Sequence, residues 1–179
     1  MKTASKIAAS HASAPGESTG RPFIISRTFN APAARVWKAW TEPEGLRQWF
    51  GPKGCTMTDI KMELKPGGSG HCCIRPPGGG EMWGKFIYRE ITEPERLVYA
   101  QHFSDRAGGI TRHPGSPTWP LQMLTTVTFA EQNGKTALTV RWTPLSPTDE
   151  EQKTFDSSHG VMNQGWGGSF EQLADYLAR

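Results

Sequence analysis

An α+β domain is what this sequence predicts: a curved antiparallel sheet of about seven strands, two short helices after the first strand, and a long C-terminal helix. Three features point there. The stretch from Met57 to Thr143 repeatedly alternates apolar and polar residues between Pro-Gly, Gly-Gly and Asn-Gly turns, which is the pattern of hairpin-connected strands. Met162, Trp166, Phe170, Leu173 and Leu177 recur at helical spacing and form one apolar stripe. The chain has 179 residues with 20 Gly and 14 Pro, which suits one turn-rich domain and a tail.

Phe23 to Phe29 is β-rich and reads as the first strand. Pro32 follows as a good first helical residue, because its missing N–H has no intrahelical partner there. Val36 and Trp40, four apart, share a face of a short helix. Thr41-Glu42-Pro43-Glu44 has the form of a capping box, so a second short helix is expected from there to near Trp49, stopped by Gly51-Pro52.

The period then changes to two. Thr58, Ile60, Met62 and Leu64 form the apolar set of the next strand, opposite Met57, Asp59, Lys61 and Glu63. Strands follow over 71–75, 82–92 and 97–103, separated by turns at 65–68, 76–80 and 93–96. Two more, 122–131 and 136–143, flank Asn133-Gly134, a strong hairpin signal. Ser104 to Pro120 lacks periodicity and is long for a hairpin connection, so it reads as a binding lid or a disordered insertion. Thr148-Asp149-Glu150-Glu151 is a second capping box, after which the chain reads as helix to its end. Gly160, Gly165, Gly167 and Gly168 within that helix imply a close approach to the sheet or a bend. A strongly twisted sheet curling around this helix leaves room for a cavity between them.

Composition narrows the functional classes. Net charge is +3, without the basic stripe of a nucleic-acid protein. No apolar stretch is long enough to span a bilayer. Three cysteines, Cys55, Cys72 and Cys73, argue against a disulfide framework and for a reducing cytoplasm. Residues 1–20 are rich in Ala, Ser, Thr and Gly without an apolar h-region. They read as a disordered tail, and the domain as 21–179.

Several motifs together resemble a known family. They are Arg27-Thr28-Phe29-Asn30-Ala31-Pro32, Val36-Trp37-Lys38-Ala39-Trp40-Thr41-Glu42-Pro43-Glu44, Trp49-Phe50-Gly51-Pro52, Pro66-Gly67-Gly68, Gly84-Lys85-Phe86, Pro94-Glu95-Arg96-Leu97-Val98-Tyr99, Gly165-Trp166 and Leu173-Ala174-Asp175-Tyr176-Leu177. Over residues 22–178 the chain is similar to the activator-of-heat-shock-ATPase-like domains of the SRPBCC superfamily. The resemblance implies the helix-grip fold, shared with START lipid-transfer domains, pathogenesis-related allergens and polyketide aromatases or cyclases. It also implies a deep cavity between sheet and C-terminal helix. The insertion at 104–120 looks longer than the family pattern.

The candidate ligand-binding residues are Trp49, Trp83, His102, Met162 and Trp166. A tryptophan beside a cavity offers a flat face and one N–H donor, which suits an aromatic or amphipathic molecule. His102, at a strand end beside the insertion, and His159 titrate in the right range for acid–base work. Neither has a carboxylate at an orienting spacing. His71 and Cys73 share a strand face while Cys72 points away, short of the three or four donors a zinc site uses. There is no GxSxG and no phosphate loop. No catalytic residue, metal or cofactor is therefore assigned. The leading expectation is binding of a small hydrophobic or aromatic molecule. The alternatives are an aromatase/cyclase-type enzyme and a stress-related co-chaperone-like module with a protein partner.

Overall fold

The computed structural model describes residues 16–18 and 20–179. Its elements are β1 (Phe23–Phe29), α1 (Ala33–Thr41), α2 (Pro43–Trp49), β2 (Thr56–Met62), β3 (Ser69–Arg75), β4 (Met82–Thr92), β5 (Arg96–Ser104), β6 (Ile110–Thr111), β7 (Met123–Gln132), β8 (Lys135–Pro144), α3 (Asp149–Ser157) and α4 (His159–Leu177). The strands form one antiparallel sheet in the order β1-β8-β7-β5-β4-β3-β2, with β6 pairing off β5. The expected strands are present, and β6 is a short addition inside the insertion.

Local signals account for much of this. Asn133 and Gly134 take φ of 54° and 73° between the paired residues Gln132 and Lys135. That is the left-handed geometry of a two-residue hairpin turn. Thr148 caps α3: its hydroxyl accepts from Glu151 N–H at 3.2 Å, and the Glu151 carboxylate accepts from Thr148 N–H at 2.9 Å. The stripe on α4 is buried throughout, from Met162 to Leu177, and packs with Val36, Trp40, Leu46, Val127, Leu138 and Phe155 in one core.

Four local expectations are corrected. Thr41 does not cap α2. It is the last residue of α1, and its hydroxyl donates back to Trp37 O at 2.8 Å. The cap position falls to Glu42, ahead of Pro43, whose fixed φ starts α2 without a side-chain cap. Pro32 likewise stands at the N-cap and not inside α1. In β2 a bulge between Met57 and Asp59 shifts the register, so Met57 is buried together with Ile60 and does not follow Asp59 outward. The C-terminal helix is interrupted at Ser158, whose hydroxyl and N–H bond back to Thr154 O and Phe155 O. One tightened turn thus separates α3 from α4.

The tail expected over 1–20 lies outside the described residues for 1–15 and 19. Residues 16–18 are against the domain. Glu17 bridges Leu145 and its carboxylate pairs with Arg141, while Ser18 N–H donates to Pro144 O at 3.0 Å.

Candidate functional site

Strand alternation sends Cys72 and Ile74 of β3, Met82 and Phe86 of β4, and Gln101 and Phe103 of β5 to the concave face of the sheet. Cross-strand pairing agrees: Met82 lies opposite Ile74, Phe86 opposite Gln101, and Gln101 opposite Met123 of β7. These residues, with Trp142 of β8, form the sheet wall of a cavity of about 440 Å³. The facing wall is Met162, Gly165 and Trp166 of α4, and the Phe50-Gly51-Pro52 turn after α2 closes one end. A Cβ on Gly165 would meet nothing within 4 Å. The glycine therefore widens the cavity, and the close helix-to-sheet approach expected from the α4 glycines is absent there.

The insertion supplies the remaining wall through His113, Ser116, Trp119 and Pro120. It is held against α3 by three contacts: the Arg112–Glu151 ion pair, a 2.9 Å hydrogen bond from Thr154 to Thr118, and the Trp119 ring 6.0 Å from that of Phe155. The Phe103 and His113 rings meet edge to face at 4.6 Å. In position the segment is a packed wall of the cavity.

The sequence-predicted residues separate into three groups. Met162 and Trp166 line the cavity. Trp166 also stacks parallel to Trp40 at 5.9 Å and meets Trp142 edge to face at 5.5 Å, so it is core and cavity wall at once. Trp83 and His102 border the cavity but alternate to the outer face. The Trp83 ring stacks on His71 at 4.9 Å, lies under the Arg106 guanidinium, and donates its N–H to Glu81 at 3.0 Å. His102 lies opposite Lys85, buried, with neither ring nitrogen hydrogen-bonded among the described residues. Burial first, then the nearby Lys85 and His71, hold its pKa below the ordinary imidazole range. Trp49 does not reach the cavity. It is 1% exposed, packs on Trp40 at 4.8 Å, and donates its N–H to Ala39 O at 2.8 Å.

Gln101, Phe86, Phe103, His113, Trp119 and Trp142 were not singled out from the sequence. The parity of Gln101 and Phe103 with Leu97 and Tyr99, and of Trp142 with Leu138 and Val140, groups each set on one strand face but does not say which face meets α4. Trp119 and His113 had no periodic signal.

Chemically the walls are apolar and nearly inert. Cys72 is the cavity thiol, and burial pushes its pKa up to about 12, so it is neutral. No carboxylate of the described residues lines the cavity. Among the described residues no group of three or more His, Cys, Asp or Glu converges as a metal site would, and no helix is long and apolar enough to cross a membrane.

The model of the family described as "Activator of Hsp90 ATPase homolog 1-like protein" matches residues 30–178. The chain belongs to this family. Solved structures similar to the chain include a Staphylococcus epidermidis protein, 26% identical, with 90% of this chain and 92% of that one covered and a TM-score of 0.67. An Arthrobacter aurescens protein is 25% identical, with 88% and 86% covered and a TM-score of 0.70. A Rhodobacter sphaeroides protein, 20% identical with 90% and 97% covered, reaches a TM-score of 0.71 and shows the fold alone. No curated protein matches the chain. The architecture of this family member is the helix-grip fold: a curved antiparallel sheet around a long C-terminal helix.

Proposed function

We propose that this family member binds a small hydrophobic or aromatic molecule in the cavity between the sheet and α4. The observation that carries the reading is a cavity of about 440 Å³ walled by Phe, Trp, Met and Ile side chains, within the size range of small-molecule sites. Among the described residues no carboxylate lines the cavity to orient His102 or His113, and the Cys72 thiol is neutral, which supports binding over acid–base or nucleophilic chemistry. The free state of Cys55, Cys72 and Cys73 supports a reducing, cytoplasmic setting.

The test is a tryptophan-emission titration with aromatic hydrocarbons, flavonoids and long-chain lipids. Trp119, Trp142 and Trp166 line the cavity, so a bound aromatic is expected to quench or shift emission, and Trp166→Phe to reduce the response. Unchanged emission with every class, together with no retention in equilibrium dialysis, overturns the proposal.

A further inference from the structure

Some polar groups around the cavity are already committed. Ser169 donates to Gly51 O at 2.8 Å and to Gly165 O at 3.1 Å. Lys85 alternates to the outer face, and its ammonium donates to Gly108 O at 3.4 Å. Unpaired groups remain among the described residues: His102 on the outer face of β5 and the Trp142 indole N–H of the sheet wall, and two more on the cavity side of β5 and the insertion. Gln101 lies on the concave face between Phe86 and Met123, and its amide has no partner among the described residues. His113 accepts from Gly115 N–H at its Nδ1, at 2.9 Å. The proton of the neutral ring is therefore on Nε2, and that N–H has no acceptor among the described residues. Between these two groups stands Phe103, next but one to Gln101 along β5 and in edge contact with His113.

We infer that Gln101 and His113 select the ligand, taking an uncharged aromatic molecule that carries a carbonyl or hydroxyl oxygen. This rests on the cavity-binding reading above. Both residues can donate an N–H to a ligand oxygen, and the Gln101 amide oxygen can in turn accept from a hydroxyl. The aromatic walls, Phe103 among them, take the ring system. An ionised carboxylate is disfavoured on the concave walls, because the cation bordering the cavity, Lys85, alternates to the outer face and donates to Gly108 O. An unsubstituted hydrocarbon leaves the amide of Gln101 dehydrated and unpaired, which lowers its affinity.

Equilibrium dialysis at pH 8 with three probes of one skeleton tests this: 2-acetylnaphthalene, 2-ethylnaphthalene and 2-naphthoate. The ketone is expected to bind roughly threefold to tenfold more tightly than the hydrocarbon, the span of one neutral hydrogen bond, and more tightly than the carboxylate. Gln101→Met is expected to remove the preference for the ketone and to raise affinity for the hydrocarbon, because the amide that hydrocarbon binding would leave unpaired is gone; the retained hydrocarbon binding also reports that the variant is folded. His113→Phe keeps the aromatic contact with Phe103 and is expected to reduce the preference in part. Equal binding of all three probes, or a ketone preference that survives Gln101→Met, overturns the selection by Gln101 while leaving cavity binding intact. If no probe binds the unaltered chain, the cavity-binding reading falls and this inference falls with it.

Discussion

The Trp49 indole N–H donates to the carbonyl of Ala39 at 2.8 Å. That carbonyl is the one whose helical partner four residues on is Pro43, which has no N–H. Trp49 thus supplies the hydrogen bond the proline withholds and ties the end of α1 to the end of α2. Gly45 shares the arrangement: a Cβ there would lie 2.9 Å from Ala39 Cα and O.

Trp49→Phe is expected to cost about 1–3 kcal/mol in urea unfolding, since it leaves a buried carbonyl unpaired. Ligand affinity should be unchanged, because Trp49 lies outside the cavity. A loss of affinity without a loss of stability would contradict the placement. Gly45→Ala should also destabilise, through backbone collision with Ala39.

Trp166→Ala removes a ring in contact with Trp40, Trp142, Phe50 and Phe170. The expected cost is about 3–5 kcal/mol, with a loss of ligand affinity. Trp119→Ala is expected to cost less, about 1–2 kcal/mol, because the ring is half-buried against Phe155. That exceeds what a free loop residue would show. Chemical denaturation of both variants, with dialysis of one ligand, checks the order.

Glu151 joins two structures: it completes the α3 capping box with Thr148 and pairs with Arg112 of the insertion. Glu151→Ala is expected to cost about 1–2 kcal/mol, and Arg112→Ala at most about 1 kcal/mol, since its guanidinium is half-exposed. The double variant should be less destabilised than the sum, as coupled partners are. Additive losses would separate the insertion from the cap.

Burial lowers the pKa of His102, His113 and His159 from 6.5. A histidine that holds its proton more weakly when folded leaves stability complete above its unfolded pKa. Stability then falls as pH drops below about 6.5. Melting temperature should therefore decline between neutral pH and pH 5. His159→Phe, which retains edge contact with Phe23 and Phe155, should flatten part of that decline. An unchanged slope would remove His159 from the account.

A variant beginning at residue 21 is expected to be about 1–2 kcal/mol less stable than one beginning at residue 16. It loses the Glu17 pairing with Leu145 and Arg141 and the Ser18 bond to Pro144. Equal melting curves would show that these contacts contribute nothing measurable.

The sequence by itself determined the elements whose causes are local. Asn133-Gly134 closes its hairpin through its own φ angles, Thr148 and Glu151 cap α3 across three residues, and the Met162–Leu177 stripe marks the buried face of α4. The motif set also sufficed for the family. Only the tertiary structure decided which groups share the cavity. Period two divides β5 into Leu97-Tyr99-Gln101-Phe103 and Val98-Ala100-His102 but does not say which set meets α4. Pairing with β4 and β7 settled that, bringing Gln101 inward and sending His102 out. Trp49 lies outside the cavity because a vacancy on the preceding helix, the Ala39 carbonyl left unserved by Pro43, takes its N–H. The insertion became a wall through Arg112, Thr118 and Trp119, whose partners on α3 stand more than thirty residues away in sequence. Contacts of that range leave no periodic mark on the chain, so no local pattern announces them.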